Sequence, residues 1–402
     1  MANCLVAQSG GPTSAINASL AGVVRGAQNS NEFDKCLGAL CGIQGLMEER
    51  IKDITDVDVD KLSLTPSMYL GSCRYKLPSA QDAPEEYEKI FDILKKNDVT
   101  TFFYIGGNDS MDTVSKLHAY AEANNETIQF IGVPKTIDND LCVTDHTPGY
   151  GSAAKFIATT LLEVCHDTAI YPIKSVTIVE IMGRDAGWLA GAAALARNNY
   201  SVVPHLIYLP EVAFNEDEFM EDLKDMIDKH GNVVVAVSEG IKDSDGVYIT
   251  STTAAEDKFG HSQLSGTGKT LELIVKERLG IKARSVEINI PQRTAGHSAS
   301  LTDIEESIQQ GEFAVTKAEE GMSGVMITIH RISDIPYTTY LSTTDINDAA
   351  GLIKHVPRKW INARGNDVTD EFIQYVKPLI QGEVNLKYKD GLPDYMDISD
   401  LL

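Results

Sequence analysis

Short apolar runs alternate with segments of helical periodicity along most of this chain. The run at residues 175–181 is continuous, which is typical of a strand covered on both faces of its sheet. Residues 84–97 instead repeat apolar positions three and four residues apart, as an amphipathic helix does. Strands that alternate with helices in this way predict an α/β fold with mainly parallel sheets.

The same two patterns assign elements over most of the chain. The predicted strands are residues 4–8, 36–43, 100–105, 127–133, 175–181, 205–209, 233–237, 286–290 and 325–330, with a further strand end at residues 70–75. The predicted helices are residues 14–28, 84–97, 111–124, 152–167, 187–196 and 267–279. The pattern weakens beyond about residue 335, where Trp360 and Tyr388 favour a packed extension over a disordered tail.

Length and composition limit the class of protein. The chain has 402 residues, 43% of them hydrophobic, which predicts a large core and two domains with a seam near residues 140–150. No apolar run reaches the roughly 18 residues of a membrane span, and residues 1–8 lack the basic region of a signal peptide. The six cysteines are scattered without a C-x-x-C pair, which predicts reduced thiols in a cytoplasmic protein.

The net charge of −23 argues against nucleic acid and anionic membranes as partners. It also opposes long-range attraction of a phosphorylated substrate. An anion site must therefore be built locally from lysines, arginines, backbone N–H groups and a divalent metal, so the basic residues at strand ends become the candidates.

Residues 133–140 are the best candidate for a catalytic segment. They follow an apolar strand, and Pro134 is expected to end it because proline cannot donate to a sheet ladder. In open α/β sheets, ligands bind beyond the carboxyl ends of strands. Lys135, Thr136, Asp138 and Asp140 are expected to face that crevice. The alternative is an ordinary polar loop in which Asp138 or Asp140 caps a helix or a turn.

Two glycine-rich turns follow predicted strands upstream of that segment. Gly106 and Gly107 precede a predicted helix, and Ser9-Gly-Gly11 precedes another. Such turns let backbone N–H groups approach an anion, and a helix N-terminus adds partial positive charge. The first turn lacks the third glycine of the dinucleotide fingerprint, so NAD binding is not supported.

These loops place two groups of polar residues opposite each other. One group contains Gly11, Arg74, Asn108, Asp109, Ser110 and Lys135, and the other contains Arg184, Glu239, Arg284 and Arg293. Such a site suits a substrate with a phosphate at one end and a hydroxyl to be phosphorylated at the other. Phosphoryl transfer needs positioning, charge neutralisation and a base. We expect Asp138 to be the base and Lys135 to stabilise the transferred group.

The chain resembles the phosphofructokinase family over roughly residues 1–330. The matching motifs, in order, are Ser9-Gly-Gly11, Gly71-Ser-Cys-Arg74, Gly106-Gly-Asn-Asp-Ser110, Pro134-Lys-Thr-Ile-Asp-Asn-Asp140, Met182-Gly-Arg184, Glu239 and Pro291-Gln-Arg293. The resemblance implies two Rossmann-like domains with the active site in the cleft between them. We expect a phosphoryl-donor domain at 1–145 with part of 291–330, a sugar-phosphate domain at 146–290, and a C-terminal extension at 331–402.

The resemblance also implies the role of each site residue. Asp138 is the base for the 1-hydroxyl of fructose 6-phosphate, and Arg284 usually reaches in from a neighbouring subunit. The implied catalytic residues are Asp138, Lys135, Asp109 and Arg184. The implied sugar-phosphate residues are Thr136, Ile137, Asp138, Asp140, Met182, Gly183, Arg184, Glu239, Arg284, Gln292 and Arg293. The implied pyrophosphate residues are Gly11, Arg74, Asp109, Ser110 and Lys135.

Two positions point to the pyrophosphate-dependent branch of the family. ATP-using members usually have glycine where this chain has Asp109 and Lys135, and pyrophosphate-using members have aspartate and lysine. A carboxylate at position 109 is expected to repel the α-phosphate of ATP. The resemblance thus implies a reversible, Mg²⁺-dependent reaction of glycolysis and gluconeogenesis, in a homodimer or homotetramer. In the competing interpretation Asp109 is only a helix cap and Lys135 is solvated.

Three positions depart from the family pattern. Asn108 stands where many relatives have a metal-binding aspartate, so we expect Asn108, Asp109, pyrophosphate and water to hold Mg²⁺. Ile290 and Ser175 stand where relatives place a histidine and an arginine at the sugar phosphate. The alternatives are an ATP-dependent phosphofructokinase, a related sugar phosphate as substrate, or a regulatory subunit that binds sugar phosphate without turnover.

Overall fold

The computed structural model describes residues 2–250 and 266–401. Its strands are β1 Ala2–Gln8, β2 Phe33–Ala39, β3 Ile51–Asp53, β4 Val99–Gly106, β5 Gln129–Pro134, β6 Ser175–Ile181, β7 Leu206–Tyr208, β8 Asn232–Ser238, β9 Lys282–Glu287, β10 Val325–Asp334, β11 Tyr337–Asp345, β12 Tyr388–Lys389 and β13 Leu392–Pro393. Its α-helices are α1 Ile16–Asn29, α2 Gly42–Met47, α3 Val59–Ser63, α4 Pro84–Lys96, α5 Asn108–Asn124, α6 Tyr150–Ala169, α7 Trp188–Ala192, α8 Glu216–His230, α9 Thr267–Leu279, α10 Pro291–Thr294, α11 Leu301–Glu319 and α12 Asp370–Val376. Short 3-10 turns lie at Ala193–Ala196, Gly296–Ser298, Ile346–Asp348, Arg358–Trp360, Lys377–Ile380 and Ser399–Leu401.

The strands form two main sheets. The first has seven strands in the order β11-β10-β5-β4-β1-β2-β3, and the second has four in the order β7-β8-β6-β9. Within these two sheets, as far as the chain is described, all pairs are parallel except those made by the edge strands β3 and β11 of the first sheet. The prediction of an α/β fold with mainly parallel sheets is confirmed.

Both faces of the seven-stranded sheet are covered by helices. On β1, Leu5 and Ala7 point toward α4 and α5, whereas Cys4 and Val6 point toward α1 and α11. This alternation follows from the period of two along a strand. The continuous apolar runs in the sequence are thus explained by burial on two sides.

Helices α1 and α11 approach each other closely because both carry glycine at their contact. A Cβ on Gly22 would lie 2.1 Å from the carbonyl oxygen of Ile308, and one on Gly311 would lie 2.2 Å from that of Ser19. No side chain fits at such a distance. The contact fixes α11 against the helix that follows the first glycine-rich turn.

The chain beyond β11 packs on the rest of the protein. Trp360, Phe372 and Tyr375 form an aromatic cluster with Trp188 of α7, with ring centroids 5.2–6.3 Å apart. The packing expected of Trp360 is therefore present. Tyr388 differs, because it lies in the small β12–β13 ribbon and is 61% exposed.

Several predicted boundaries are wrong, and one predicted strand end is absent. Residues 71–79 have no regular structure, because Gly71 adopts a left-handed φ of +72° that interrupts an extended run. The strand predicted at 286–290 lies at Lys282–Glu287 instead, since Asn289 has a φ of +45°. Among the described residues, no helix is long and apolar enough to cross a membrane.

Candidate active site

A cavity of about 680 Å³ opens between the carboxyl ends of the two sheets. The turns after β1, β4 and β5 reach it from the first sheet, and those after β6 and β8 reach it from the second. Its walls carry both cations and carboxylates. This is the crevice in which parallel α/β sheets usually hold ligands.

Lys135 lies at the floor of the cavity, immediately after β5. Its side chain is almost fully buried, and its Nζ donates to the carbonyl oxygens of Ser9 and Gly11 at 2.9 and 2.7 Å. Burial lowers its pKa to about 7, although Asp138 nearby favours the charged form. The competing interpretation, in which Lys135 is solvated, is therefore wrong. Its ammonium connects the catalytic segment to the first glycine-rich turn.

The N-terminus of α5 forms the next part of the wall. Gly106 ends β4, and Asn108, Asp109 and Ser110 occupy the first turn of the helix. The Ser110 hydroxyl is 2.6 Å from that of Ser9, which ties the two glycine-rich turns together. Position 106 favours glycine, because a Cβ there would lie 2.4 Å from the Cβ of Ser110, which side-chain rotation cannot move away.

Asn108 presents an oxygen that lacks a protein partner. Its Oδ1 is buried and accepts no hydrogen bond from any residue that the structure describes. A buried polar atom without a partner costs free energy, so such an atom at a cavity wall indicates a ligand. The atom is an amide oxygen, which is a donor that Mg²⁺ accepts.

Asp138 projects from the loop that follows β5. Its backbone N–H donates to Thr136 Oγ1 at 3.1 Å, which holds the loop in a tight turn. Burial, reinforced by Asp140, raises the pKa of Asp138 to about 7, against the opposing effects of Arg184 and Lys135. The pKa of Asp140 is also raised by burial. A carboxylate with a pKa near neutrality is suited to proton transfer.

The second sheet contributes the turn after β6 and Glu239 after β8. Gly183 has a φ of +123° and donates its N–H to Glu239 Oε1 at 3.3 Å. Arg184 follows it and its Nε donates to Asp185 at 2.9 Å. Burial, with Asp138 as the second cause, raises the pKa of Glu239 to about 8. The Gln292 side chain supports this turn by accepting from the Met182 N–H at 3.2 Å.

Arg293 lies between the two groups of loops. A Cβ on Gly11 would be 3.7 Å from its Nη1, so its guanidinium faces the first glycine-rich turn. Burial and the positive charge of Arg74 lower its pKa, and the charge of Asp138 raises it. Its Nε is buried and has no hydrogen-bond partner in the described part of the chain. The Arg293 guanidinium can therefore pair with an anionic ligand in the cavity.

Most of the residues predicted from the sequence meet in this one cavity. Its lining includes Gly11, Arg74, Asn108, Asp109, Ser110, Lys135, Thr136, Ile137, Asp138, Asp140, Met182, Arg184, Glu239, Gln292 and Arg293. Gly183 lies just behind it, bonded to Glu239. Arg284 lies elsewhere, on β9 in a separate cavity of about 260 Å³, where it faces Asp167 at 3.5 Å.

Several residues at or behind the site were not predicted from the sequence. Glu180 lines the cavity and accepts the N–H of Gly268 at 2.6 Å, at the start of α9. A lone carboxylate in an apolar strand was a usable signal for it. Lys354 and Tyr375 support the catalytic loop from behind, and the weak pattern of the C-terminal segment carried no signal for them.

Comparisons with known proteins agree with this geometry. The model of the family described as phosphofructokinase matches residues 3–330. A pyrophosphate–fructose 6-phosphate 1-phosphotransferase from Xanthomonas campestris pv. campestris (strain B100) is 40% identical, over 99% of this chain and 96% of the relative. Its counterpart from Rhodospirillum rubrum is also 40% identical, over 98% and 96%. The crystal structure of a pyrophosphate-dependent phosphofructokinase from Nitrosospira multiformis is 38% identical, covers 98% of this chain and 95% of its own, and superimposes with a TM-score of 0.89. The chain belongs to the phosphofructokinase family.

Proposed function

We propose that this enzyme transfers a phosphoryl group reversibly from pyrophosphate to the 1-hydroxyl of fructose 6-phosphate, giving fructose 1,6-bisphosphate and phosphate. The observation that carries the proposal is the meeting of Asp138, Lys135 and Asp109 in one cavity between the sheets. A base, a buried cation and a carboxylate at a helix N-terminus fit a small donor without a nucleoside. The names of the full-length relatives support the same reaction.

Asp138 is the proposed general base. The 1-hydroxyl oxygen attacks the phosphorus of pyrophosphate, its proton passes to the Asp138 carboxylate, and the bridging P–O bond breaks to release phosphate. The raised pKa of Asp138 makes the carboxylate a better acceptor at neutral pH than an exposed aspartate. Arg184 faces the same carboxylate and balances its charge.

The donor end of the proposed site is formed by Gly11, Arg74, Asp109, Ser110 and Lys135. Lys135 faces the oxygens of the transferred group, and the helix N-terminus adds partial positive charge. We extend the assignment of Arg293 to this end as well, because its guanidinium faces Gly11. The cations Arg74, Lys135 and Arg293 oppose the strongly negative charge of the whole chain where pyrophosphate would bind.

The acceptor end is formed from both sheets. We assign the sugar to Thr136, Ile137, Asp140, Met182, Gly183, Arg184, Glu239 and Gln292. Arg284 lies outside the active-site cavity of its own chain, which supports a homo-oligomer in which Arg284 serves a neighbouring subunit. Its place on the edge strand β9 leaves it accessible to such a subunit.

Mg²⁺ fits the donor end. No group of three or more His, Cys, Asp or Glu side chains is arranged for a metal among the residues described. Mg²⁺ typically takes one or two protein ligands and completes its shell with water and phosphate oxygens. Asn108, through its partnerless Oδ1, and Asp109 are the proposed protein ligands. When bound, the ion neutralises charge on the phosphate oxygens.

The purified enzyme is expected to form fructose 1,6-bisphosphate from fructose 6-phosphate with pyrophosphate and Mg²⁺, and not with ATP. A coupled assay with each donor in parallel measures this. Turnover with ATP alone contradicts the proposed donor while leaving the base in place. No turnover with either donor contradicts the proposed reaction.

Removing the two donor-selecting side chains should admit ATP. The Asp109→Gly, Lys135→Gly double variant is expected to gain ATP-dependent turnover, because the carboxylate no longer repels the α-phosphate. Two charges about 4 Å apart interact by about 4 kcal/mol at an effective dielectric of about 20, which sets an upper limit of about three decades. Lys135→Gly alone is the control, since it keeps the repelling charge. Equal ATP use by the single and double variants contradicts the role of Asp109.

The rate is expected to depend on pH as a narrow bell. Asp138 must be deprotonated, and since its pKa is raised to about 7, kcat/KM should fall as the pH drops below about 7. Lys135 must be charged, and since its pKa is lowered to about 7, kcat/KM should also fall as the pH rises above about 7. Saturating pyrophosphate favours the ammonium, so the alkaline limb of kcat should lie higher. A profile that is flat between about pH 6 and about pH 8 contradicts both assignments.

A further inference from the structure

The loop that carries Asp138 and Asp140 has an uncommon backbone conformation between them. Asn139 has a φ of +53°, in the left-handed region that non-glycine residues seldom occupy, and it is fully buried. This conformation points the two neighbouring carboxylates into the cavity. Because it is unfavourable by itself, it must be held by its surroundings.

Both ends of the Asn139 amide are used for this purpose. Its Nδ2 donates to the Tyr375 hydroxyl at 2.9 Å, and its Oδ1 accepts from the Thr147 N–H at 3.1 Å and from Lys354 Nζ at 3.3 Å. The Tyr375 hydroxyl in turn donates to the carbonyl oxygen of Asp145 at 2.6 Å. Two residues of the C-terminal segment therefore contact the loop from the side away from the cavity.

Lys354 makes further contacts with the same loop. Its Nζ also donates to the carbonyl oxygens of Thr144 and Asp145 at 3.2 and 2.8 Å. Its backbone N–H donates to the carbonyl oxygen of Asp140 at 2.7 Å. Its own carbonyl accepts from the indole of Trp188 at 2.7 Å, and its ammonium lies 5.3 Å from that ring's centroid. Lys354 is thus held in place by Trp188 as well as bonded to the loop.

We infer that Lys354 and Tyr375 are positioning residues for phosphoryl transfer, which fix the left-handed turn at Asn139 and so orient the carboxylates of Asp138 and Asp140 toward the cavity. Neither residue lines the cavity. Both lie beyond residue 330, where the match to the family model ends. The segment that follows β11 therefore has a task in the reaction besides packing. The inference rests on the proposed function, because it concerns the orientation of Asp138, the proposed base.

The test compares Lys354→Met and Tyr375→Phe with the wild-type enzyme. Methionine keeps the length of the lysine without its donors, and phenylalanine removes only the hydroxyl. Misplacing a reacting group by about 1 Å can cost about 100-fold, so kcat is expected to fall about 10- to 100-fold. The KM for fructose 6-phosphate should change less than about threefold, because the sugar contacts remain. Lys354→Arg should restore part of kcat.

Hydrogen exchange gives a reading that does not depend on activity. The Thr147 amide is bonded to Asn139 Oδ1, so loosening of Asn139 should speed its exchange. We expect exchange in peptides spanning residues 136–147 to rise about tenfold in Lys354→Met, which loses hydrogen bonds to a charged group, and about fivefold in Tyr375→Phe, which loses neutral ones. Lys359→Met is the matched control, since Lys359 is exposed on the same segment.

The outcomes separate the inference from the proposed function. An inactive wild-type enzyme contradicts the function, whereas faster exchange in the variants still shows that the loop is held. If the variants exchange as slowly as the wild type but have lost kcat, the inference is overturned, because Lys354 and Tyr375 then act in the reaction without holding the loop. Faster exchange with unchanged kcat overturns it too, because the orientation of the loop then does not affect the rate. If Lys354→Met fails to fold, Tyr375→Phe alone decides.

Discussion

Asp138→Asn is expected to lower kcat by about 10²- to 10⁴-fold, the usual contribution of a general base. The amide has the size and shape of the carboxylate but cannot accept the proton of the 1-hydroxyl. The variant should fold well, because a neutral amide is easier to bury than a carboxylate whose pKa is already raised by burial. Steady-state turnover with saturating pyrophosphate and fructose 6-phosphate measures the loss.

Binding of fructose 6-phosphate separates loss of the base from loss of the site. Calorimetric titration should give an affinity within about tenfold of the wild type, since the other sugar contacts are intact. Asp92→Asn, on the exposed face of α4, is the control for removing a carboxylate. If Asp138→Asn retains more than about a tenth of the wild-type kcat, Asp138 is not the base.

Lys135→Met is expected to lower kcat by about 10²- to 10³-fold, as does the loss of one charge-stabilising group at a transition state. Lys135 is the most buried cation in the cavity, so solvent screens its charge least. The alkaline limb of the pH profile should move to higher pH with it, because Lys354, the other described lysine whose pKa is lowered by burial, has a pKa of about 8. Rate measurements across the pH range show both effects.

The same substitution also removes two hydrogen bonds inside the protein. The buried carbonyl oxygen of Ser9 loses its donor at a cost of about 1–3 kcal/mol, whereas the carbonyl oxygen of Gly11, an exposed residue, can bond to water instead. Thermal unfolding must therefore accompany the kinetics, with the exposed Lys224→Met as control. A folded Lys135→Met enzyme with undiminished kcat contradicts the proposed role.

The sequence was informative wherever local pattern decides the structure. Apolar runs ending in Gly106 and Pro134 predicted strands, and parallel strands place their carboxyl ends together, so Asp109 and Lys135 were expected at one site. The motif resemblance then supplied roles that no periodicity contains. The predicted strand boundaries were wrong where single residues with positive φ, such as Gly71 and Asn289, interrupt an apolar pattern.

Contacts between distant segments could not be predicted in this way. Lys354 lies 215 residues from Asn139, and Tyr375 lies 236 residues from it. Nothing in either local sequence marks the other as a partner, because long-range packing depends on the whole fold. The separate location of Arg284 is a further case, since a strand residue at a sheet edge can face either its own chain or another.

The order of strands in the first sheet has a consequence for synthesis on the ribosome. Strand β5 is made early, but its neighbour β10 begins at Val325, some 190 residues later along the chain. The four-stranded sheet has all its strands by Glu287, so it can assemble first. The N–H of Asp145, at the end of the catalytic loop, is bonded to Ile329 of β10. A nascent chain should therefore acquire its catalytic geometry only after β10 has been synthesised and has left the ribosome.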